Sequence, residues 1–127
     1  RDRFPDADEI RIGTLGDIAA QLRYDASTVV VIVAHDYKFE IPVLRTVLAR
    51  QPAYIGLLGN RRRGQALLDF LAADGVPPRD LERVHVPVGL DIGAQTAAEI
   101  ALAALAEAIA VRNGRPGTRL RDKPAVP

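Results

Sequence analysis

The clearest strand in this sequence is Thr28-Val29-Val30-Val31-Ile32-Val33-Ala34. Its first six residues are all β-branched, and such side chains pack well on a pleated sheet. An apolar run without polar interruptions predicts burial on both faces of the strand, which is typical of a parallel sheet covered by helices. We therefore expect an α/β fold in which this strand lies inside a layered sheet.

Further strands and helices alternate around this run, according to the spacing of their apolar residues. Strands joined by helices predict a doubly wound, Rossmann-like parallel sheet with flanking helices. We expect Pro42 in the first turn of its helix, and Pro87 places its short strand at an edge or end of the sheet. The predicted strands are 9–12, 28–34, 54–58 and 85–88, and the predicted helices are 17–22, 41–50, 62–73 and 97–112, with at most one helical turn at 79–82.

Three segments follow predicted strands and are therefore candidates for a binding site. Ligands of doubly wound sheets bind beyond the carboxyl ends of the strands. The segments are Ala34-His35-Asp36, Gly59-Asn60-Arg61 and Gly89-Leu90-Asp91-Ile92-Gly93.

Three consecutive arginines, Arg61 to Arg63, stand where a helix is predicted to begin. Cations at a helix amino end oppose the helix dipole, whereas the free N–H groups there bind phosphate. Arginine also binds phosphate in a bidentate manner. The segment predicts a phosphate or anion site that includes Gly59, Asn60, Arg61 and Arg62. The alternative is that these arginines are solvated or pair with acidic neighbours.

The dipeptide His35-Asp36 stands at the end of the most apolar strand. It either contacts a ligand, with His35 as an acid or base, or Asp36 caps the next helix while His35 packs against it. A metal site is not expected, because His85 is the only other histidine and no ligand spacing links the two.

The segment Gly89-Leu90-Asp91-Ile92-Gly93 places a carboxylate between two glycines. Glycine permits positive φ and a close approach of a ligand to the backbone. Asp91 therefore either accepts hydrogen bonds from a ribose or a pterin-like ring, or satisfies N–H groups of its own loop.

The composition excludes several classes of site. The 127 residues contain no Cys, no Met and no Trp, and the net charge is +1. Disulfides, thiolate nucleophiles and Cys-ligated metals are therefore excluded, and charge gives no argument for a nucleic-acid partner. No apolar run has the length of a signal peptide or membrane span. Because no initiator Met is present, we expect a piece of a longer soluble, cytoplasmic protein.

The last predicted helix, at 97–112, is the best defined. Thr96 and Glu99 form a capping box, and Asn113-Gly114 supplies the stop. Its many alanines predict a core helix, with a dimer interface as the alternative. We expect residues 1–114 to form the domain and 115–127 to be a mobile tail.

In this order, the segments resemble the carboxy-terminal Rossmann-like domain of the XdhC/CoxI family, the xanthine dehydrogenase accessory proteins. The resemblance covers nearly the whole chain apart from the tail. The Pro-x-Gly-Leu-Asp-Ile-Gly-Ala string is its most specific part. The matching stretches are Arg3-Phe4-Pro5-Asp6-Ala7-Asp8, Ala34-His35-Asp36 with Lys38-Phe39, residues 54–59 with Arg61-Arg62, and residues 84–94.

The resemblance implies a molybdenum cofactor chaperone rather than an enzyme. Family members bind the molybdopterin cofactor, support its sulfuration and hand it to a molybdenum hydroxylase of the xanthine dehydrogenase type. A cysteine desulfurase and a second copy of the chain are further expected partners, and neither nucleic acid nor membrane is expected. The cofactor-binding residues implied by the resemblance are His35, Asp36, Gly59, Asn60, Arg61, Arg62, Gly89, Asp91 and Gly93.

The sequence also departs from the family pattern. Asn60 stands where family members commonly have Ser. The family's first strand, its glycine-rich turn and its cysteine-bearing amino-terminal domain would precede Arg1, so the expected Rossmann-like sheet is incomplete. Two other functions stay open at this point: a fragment of an NAD(P)-dependent oxidoreductase with His35 as acid or base, and a subunit-docking domain that uses helix 97–112.

Overall fold

The computed structural model describes residues 3–34 and 36–124, and for Tyr37 the backbone only. These residues form strands and helices in alternation. The elements are α1 (Leu15–Gln21), β1 (Val29–Ile32), α2 (Tyr37–Arg50), β2 (Tyr54–Leu57), α3 (Arg61–Ala73), α4 (Pro78–Leu81), β3 (Val84–His85), α5 (Ala97–Arg112) and a 3-10 turn (Leu120–Asp122).

The three strands form one parallel sheet in the order β1-β2-β3. Val30 pairs with Ile55, and Ile55 pairs in turn with Val84, so β2 is central. The predicted α/β fold with a parallel Rossmann-like sheet and flanking helices is confirmed. The strand predicted at 85–88 is only partly confirmed: β3 borders the described sheet but covers Val84–His85, and Pro87 lies beyond its end.

Helices lie on both faces of β2. Successive residues of a strand point to opposite faces. Ile55 and Leu57 pack in the main apolar core, to which α2 and α3 contribute fully buried leucines such as Leu44 and Leu67. On the other face, α5 turns Ala103, Ala104 and Ala108 inward and contacts the Tyr54 hydroxyl through Glu107.

Strand β1 is not buried on both faces, so that prediction is wrong. Val29, Val31 and Val33 are 37%, 41% and 64% exposed, whereas Ile32 on the opposite face is buried. The physical reason is that β1 borders the described sheet and α5 packs on β2. An apolar run indicates that a strand favours burial. Whether both of its faces are buried depends on the helices and strands that pack against it.

The strand predicted at 9–12 is also wrong, since these residues have no regular secondary structure. Ile12 is 92% exposed, and the side chains of Glu9 and Arg11 pair with each other. Alternation favours a strand only where another strand supplies the hydrogen-bond ladder. None of β1 to β3 pairs with this segment.

Helix α2 begins at Tyr37, four residues before the predicted start. The Asp36 carboxylate accepts a hydrogen bond from the Lys38 N–H at 2.9 Å and starts the helix there. Pro42 therefore lies inside α2, and its predicted place in the first turn is wrong.

The other helices lie close to where the sequence predicts them. Helices α1 and α3 match to within two residues at each end, α4 is a single turn, and α5 matches at both ends. Both hydrogen bonds of the Thr96–Glu99 capping box are present. The mobile tail stays a prediction. In its described part, a Cβ on Gly117 would lie 3.0 Å from the Leu90 side chain.

We expect Thr96→Ala to lower the free energy of unfolding by about 1 kcal/mol, because the Glu99 N–H loses its acceptor.

Hydrogen bonds from the N–H groups of Gln95 and Thr96 lower the pKa of Glu99. The charged carboxylate therefore stabilises the fold above the pKa of an unfolded Glu, and this is lost as the pH falls through the folded pKa. Urea denaturation across the acid range, with Thr118→Ala as an exposed control, tests both statements. An equal loss in the control would contradict the capping role.

Candidate functional site

A cleft of about 460 Å³ opens at the carboxyl ends of β2 and β3. Arg61 lines it from the start of α3, and loop 87–94 lines it from the other side. Asp91, Gly89 and Gly93 belong to this lining, while α5 contributes Ile100 and Ala103. Two of the three segments expected at the sheet edge therefore meet in one cleft.

The amino end of α3 begins at Asn60. Its side-chain oxygen accepts a hydrogen bond from the Arg63 N–H at 2.7 Å, and its carbonyl accepts one from Gly64. Asn60 is thus a helix cap. Arg61 and Arg62 are exposed in the first turn, which contains no acidic residue. Two positive charges stand where the helix dipole favours an anion.

Arg63 behaves differently from its two neighbours. Its guanidinium donates a hydrogen bond to Oε1 of Glu40, which is fully buried in the first turn of α2. The other carboxylate oxygen of Glu40 has no partner among the described residues. The pairing alternative therefore holds for Arg63, whereas the described residues provide no acidic partner within 4.0 Å for Arg61 or Arg62.

Asp36 lies away from the cleft. Its carboxylate caps α2, which confirms the structural alternative for this residue. It lines an apolar pocket with Leu15, Val33 and Phe39 instead. His35 lies outside the described residues. Gly59 lies beside the guanidinium of Arg63, since a Cβ on Gly59 would lie 3.5 Å from Nη1.

The backbone of loop 87–94 is held at its first half. The N–H groups of Val88, Gly89 and Leu90 donate to the Leu57 carbonyl at 3.2 Å, to Glu107 Oε1 at 3.0 Å and to the Ala103 carbonyl at 3.2 Å. Asp91 follows directly and is exposed. The exposed Asp91 carboxylate thus follows a segment whose backbone is held by hydrogen bonds.

Glu107 and Tyr54 form a polar cluster behind this loop, which the sequence reasoning missed. The Tyr54 hydroxyl donates to Glu107 Oε1 at 2.5 Å. Burial, and then the nearby Glu107 carboxylate, raise the pKa of Tyr54. His85 stacks on Tyr54 with ring centroids 4.9 Å apart, and its Nδ1 lies 4.0 Å from Glu107 Oε2. The signal in the sequence was an acidic residue in the alanine-rich, apolar middle of α5.

The part of the chain that the structure describes contains neither a metal-binding cluster nor a helix that could span a membrane. These residues contain no group of three or more His, Cys, Asp or Glu side chains arranged to hold a metal ion. None of their helices combines the length and the hydropathy that crossing a bilayer requires.

Comparison with protein families gives a match over residues 1–108 to the model described as the XdhC Rossmann domain. The uncharacterized protein YqeB of Escherichia coli (strain K12) is 46% identical over 81 residues, covering 63% of this chain and 15% of that protein. The molybdenum cofactor insertion chaperone PaoD of the same organism is 33% identical over 94 residues, covering 74% of this chain and 30% of PaoD.

A solved structure is similar over nearly the whole chain. It is that of a xanthine dehydrogenase from Bacillus halodurans, with a TM-score of 0.72 and 30% sequence identity. The match covers 98% of this chain and 34% of that one. With shares of 15%, 30% and 34%, this chain spans much less than two thirds of the length of each of the three proteins and corresponds to a part of each.

Proposed function

Because the chain belongs to the XdhC family, whose Rossmann-domain model it matches over residues 1–108, we propose that it binds molybdenum cofactor for insertion into a xanthine dehydrogenase-type molybdenum hydroxylase. The family is one of xanthine dehydrogenase accessory proteins, and a relative that is 33% identical is named as a molybdenum cofactor insertion chaperone. The family match and this relative support an accessory role related to the molybdenum cofactor. We further propose the binding residues, the partners and a non-enzymatic role described below.

The observation that carries the proposal is the cleft that brings Arg61 and the Gly89–Gly93 loop together. The polar groups that line this cleft fit a phosphorylated pterin. Arginine at a helix amino end suits a phosphate, and a carboxylate accepts hydrogen bonds from ring N–H groups. Gly93, with φ +70 and open space around it, leaves the backbone accessible to a flat ligand.

Each residue in the proposed site has a separate task. Arg61 binds the phosphate and Arg62 adds positive charge beside it, while Asp91 orients the pterin ring. Gly59 and Asn60 shape and cap the amino end of α3, and Gly89 brings the loop against α5. Asp36 caps α2 outside the cleft, and a role of His35 and Asp36 in binding stays a prediction from the sequence. When bound, the cofactor supplies the molybdenum centre that the receiving enzyme uses.

The proposed partners follow from this role. The receiving hydroxylase is the first, and a cysteine desulfurase that supplies sulfur to the cofactor is the second. We further propose a homo-oligomer, with a dimer as its simplest form. The outer side of α5 supports this, because Leu102, Leu105 and Ile109 are 63%, 55% and 51% exposed. The proposed location is the cytoplasm.

We expect Arg61→Ala to raise the Kd for molybdenum cofactor by about ten- to a hundred-fold, the value of a lost charge-assisted hydrogen bond. Anaerobic titration calorimetry with cofactor released from a molybdenum hydroxylase measures this change. Arg79→Ala, an exposed arginine on α4, is the matched control and should leave the Kd unchanged. Equal affinity of Arg61→Ala and wild type would contradict the proposed site.

A further inference from the structure

We propose that Glu107 is a positioning residue whose carboxylate fixes the backbone of loop 87–94, and with it the place of Asp91 in the cleft. The consequence for cofactor binding rests on the proposed function, whereas the fixing of the loop does not. Glu107 lies on α5 and does not line the cleft itself.

Three consecutive N–H groups hold the first half of the loop, and they have different acceptors. Val88 and Leu90 donate to the backbone carbonyls of Leu57 and Ala103, both at 3.2 Å. Gly89, between them, donates to Glu107 Oε1 at 3.0 Å. A hydrogen bond to a charged acceptor is stronger than one between neutral groups. Of these three hydrogen-bond acceptors, only that of Glu107 belongs to a side chain.

The backbone of the loop packs closely against α5 at Gly89. Gly89 has φ +104, and a Cβ placed on it would lie 3.0 Å from the Ala103 Cβ and 3.3 Å from the Ala104 nitrogen. The backbone at this point therefore packs directly on the helix. Its N–H is part-buried and donates to Glu107 Oε1, with the Tyr54 hydroxyl also beside it.

Asp91 depends on these anchors for its position. Within the described chain, no backbone hydrogen bond is made by the N–H groups of residues 91–93. Asp91 is also exposed, so side-chain packing holds it little. Its place over the cleft is therefore set by the residues before it, which are fixed up to Leu90.

Glu107 is itself held to the centre of the sheet, which makes it a suitable anchor. The Tyr54 hydroxyl donates to the same Oε1 atom at 2.5 Å, and Tyr54 is only 1% exposed. One carboxylate oxygen thus joins β2, α5 and the loop. Removing it leaves two N–H or O–H donors without an acceptor, which the carboxamide of a glutamine would still provide.

Amide hydrogen exchange by NMR tests the inference without any ligand. Glu107→Ala should speed exchange at Gly89 by about ten-fold or more relative to the amide of Leu57, a buried residue of β2. Glu107→Gln keeps an acceptor oxygen and should remain close to wild type. Leu102→Ala is the matched control, because it truncates a side chain of the same helix that is 63% exposed.

The exchange rates decide the inference in either direction. A selective rise at Gly89 in Glu107→Ala, absent in Leu102→Ala, supports a positioning role. A Gly89 rate in Glu107→Ala that changes no more than that of Leu57 overturns it. Cofactor titration is read separately: a wild-type protein that binds no cofactor defeats the proposed function, and the exchange result still decides the role of Glu107.

Discussion

Replacing Arg63 by alanine should lower the free energy of unfolding by about 3–5 kcal/mol, the usual cost of breaking a buried ion pair from one side. Glu40, its partner, is fully buried, and only one of its carboxylate oxygens has a partner among the described residues. Without the guanidinium, the Glu40 carboxyl group would stay buried between α2 and α3 without its hydrogen-bond partner. A buried polar group that loses its partner costs free energy.

Urea denaturation measures this loss, and the chain contains its own control. Arg62→Ala removes an exposed arginine from the same helical turn and should change the free energy of unfolding by less than about 0.5 kcal/mol. The double variant Glu40→Leu/Arg63→Met should recover most of the loss, because apolar replacement of a buried ion pair is often neutral or stabilising. Similar losses in Arg63→Ala and Arg62→Ala would contradict the burial of Glu40.

Most helix bounds were predictable from the sequence because their signals are local, the start of α2 being the exception. The capping box of Thr96 and Glu99 needs only residues three apart, and it sets the start of α5. Gly75 ends α3 in a similar way, since its φ of +97 favours glycine. The order of such elements was enough to predict a parallel α/β sheet.

The contacts between elements were not predictable in this way. The pairing of Glu40 with Arg63 joins residues 23 apart, and that of Tyr54 with Glu107 joins residues 53 apart. No local pattern marks either pair. The prediction that β1 is buried on both faces failed for a related reason, because an apolar run does not specify which helix covers it. The cleft was predictable in part, since the carboxyl ends of parallel strands meet at one edge.

Leu67 and Leu102 also differ in whether neighbouring elements cover their side chains. The second large expected effect follows from this difference. Leu67→Ala should lower the free energy of unfolding by about 2–5 kcal/mol. Leu67 lies on α3, is 0% exposed and belongs to the core that includes Ile55 and Leu71. Truncation there leaves a cavity, because the helix and the sheet are held by many other contacts and close only partly around it.

Leu102→Ala is the matched control, with the same change on a helix of similar length. Leu102 is 63% exposed on α5, so its truncation should cost less than about 0.5 kcal/mol at protein concentrations where the chain is monomeric. A monomer that loses as much from Leu102→Ala as from Leu67→Ala would contradict the arrangement of α5. In the proposed homo-oligomer, by contrast, the unfolding midpoint rises with protein concentration, and Leu102→Ala should remove that rise if the outer side of α5 forms the interface.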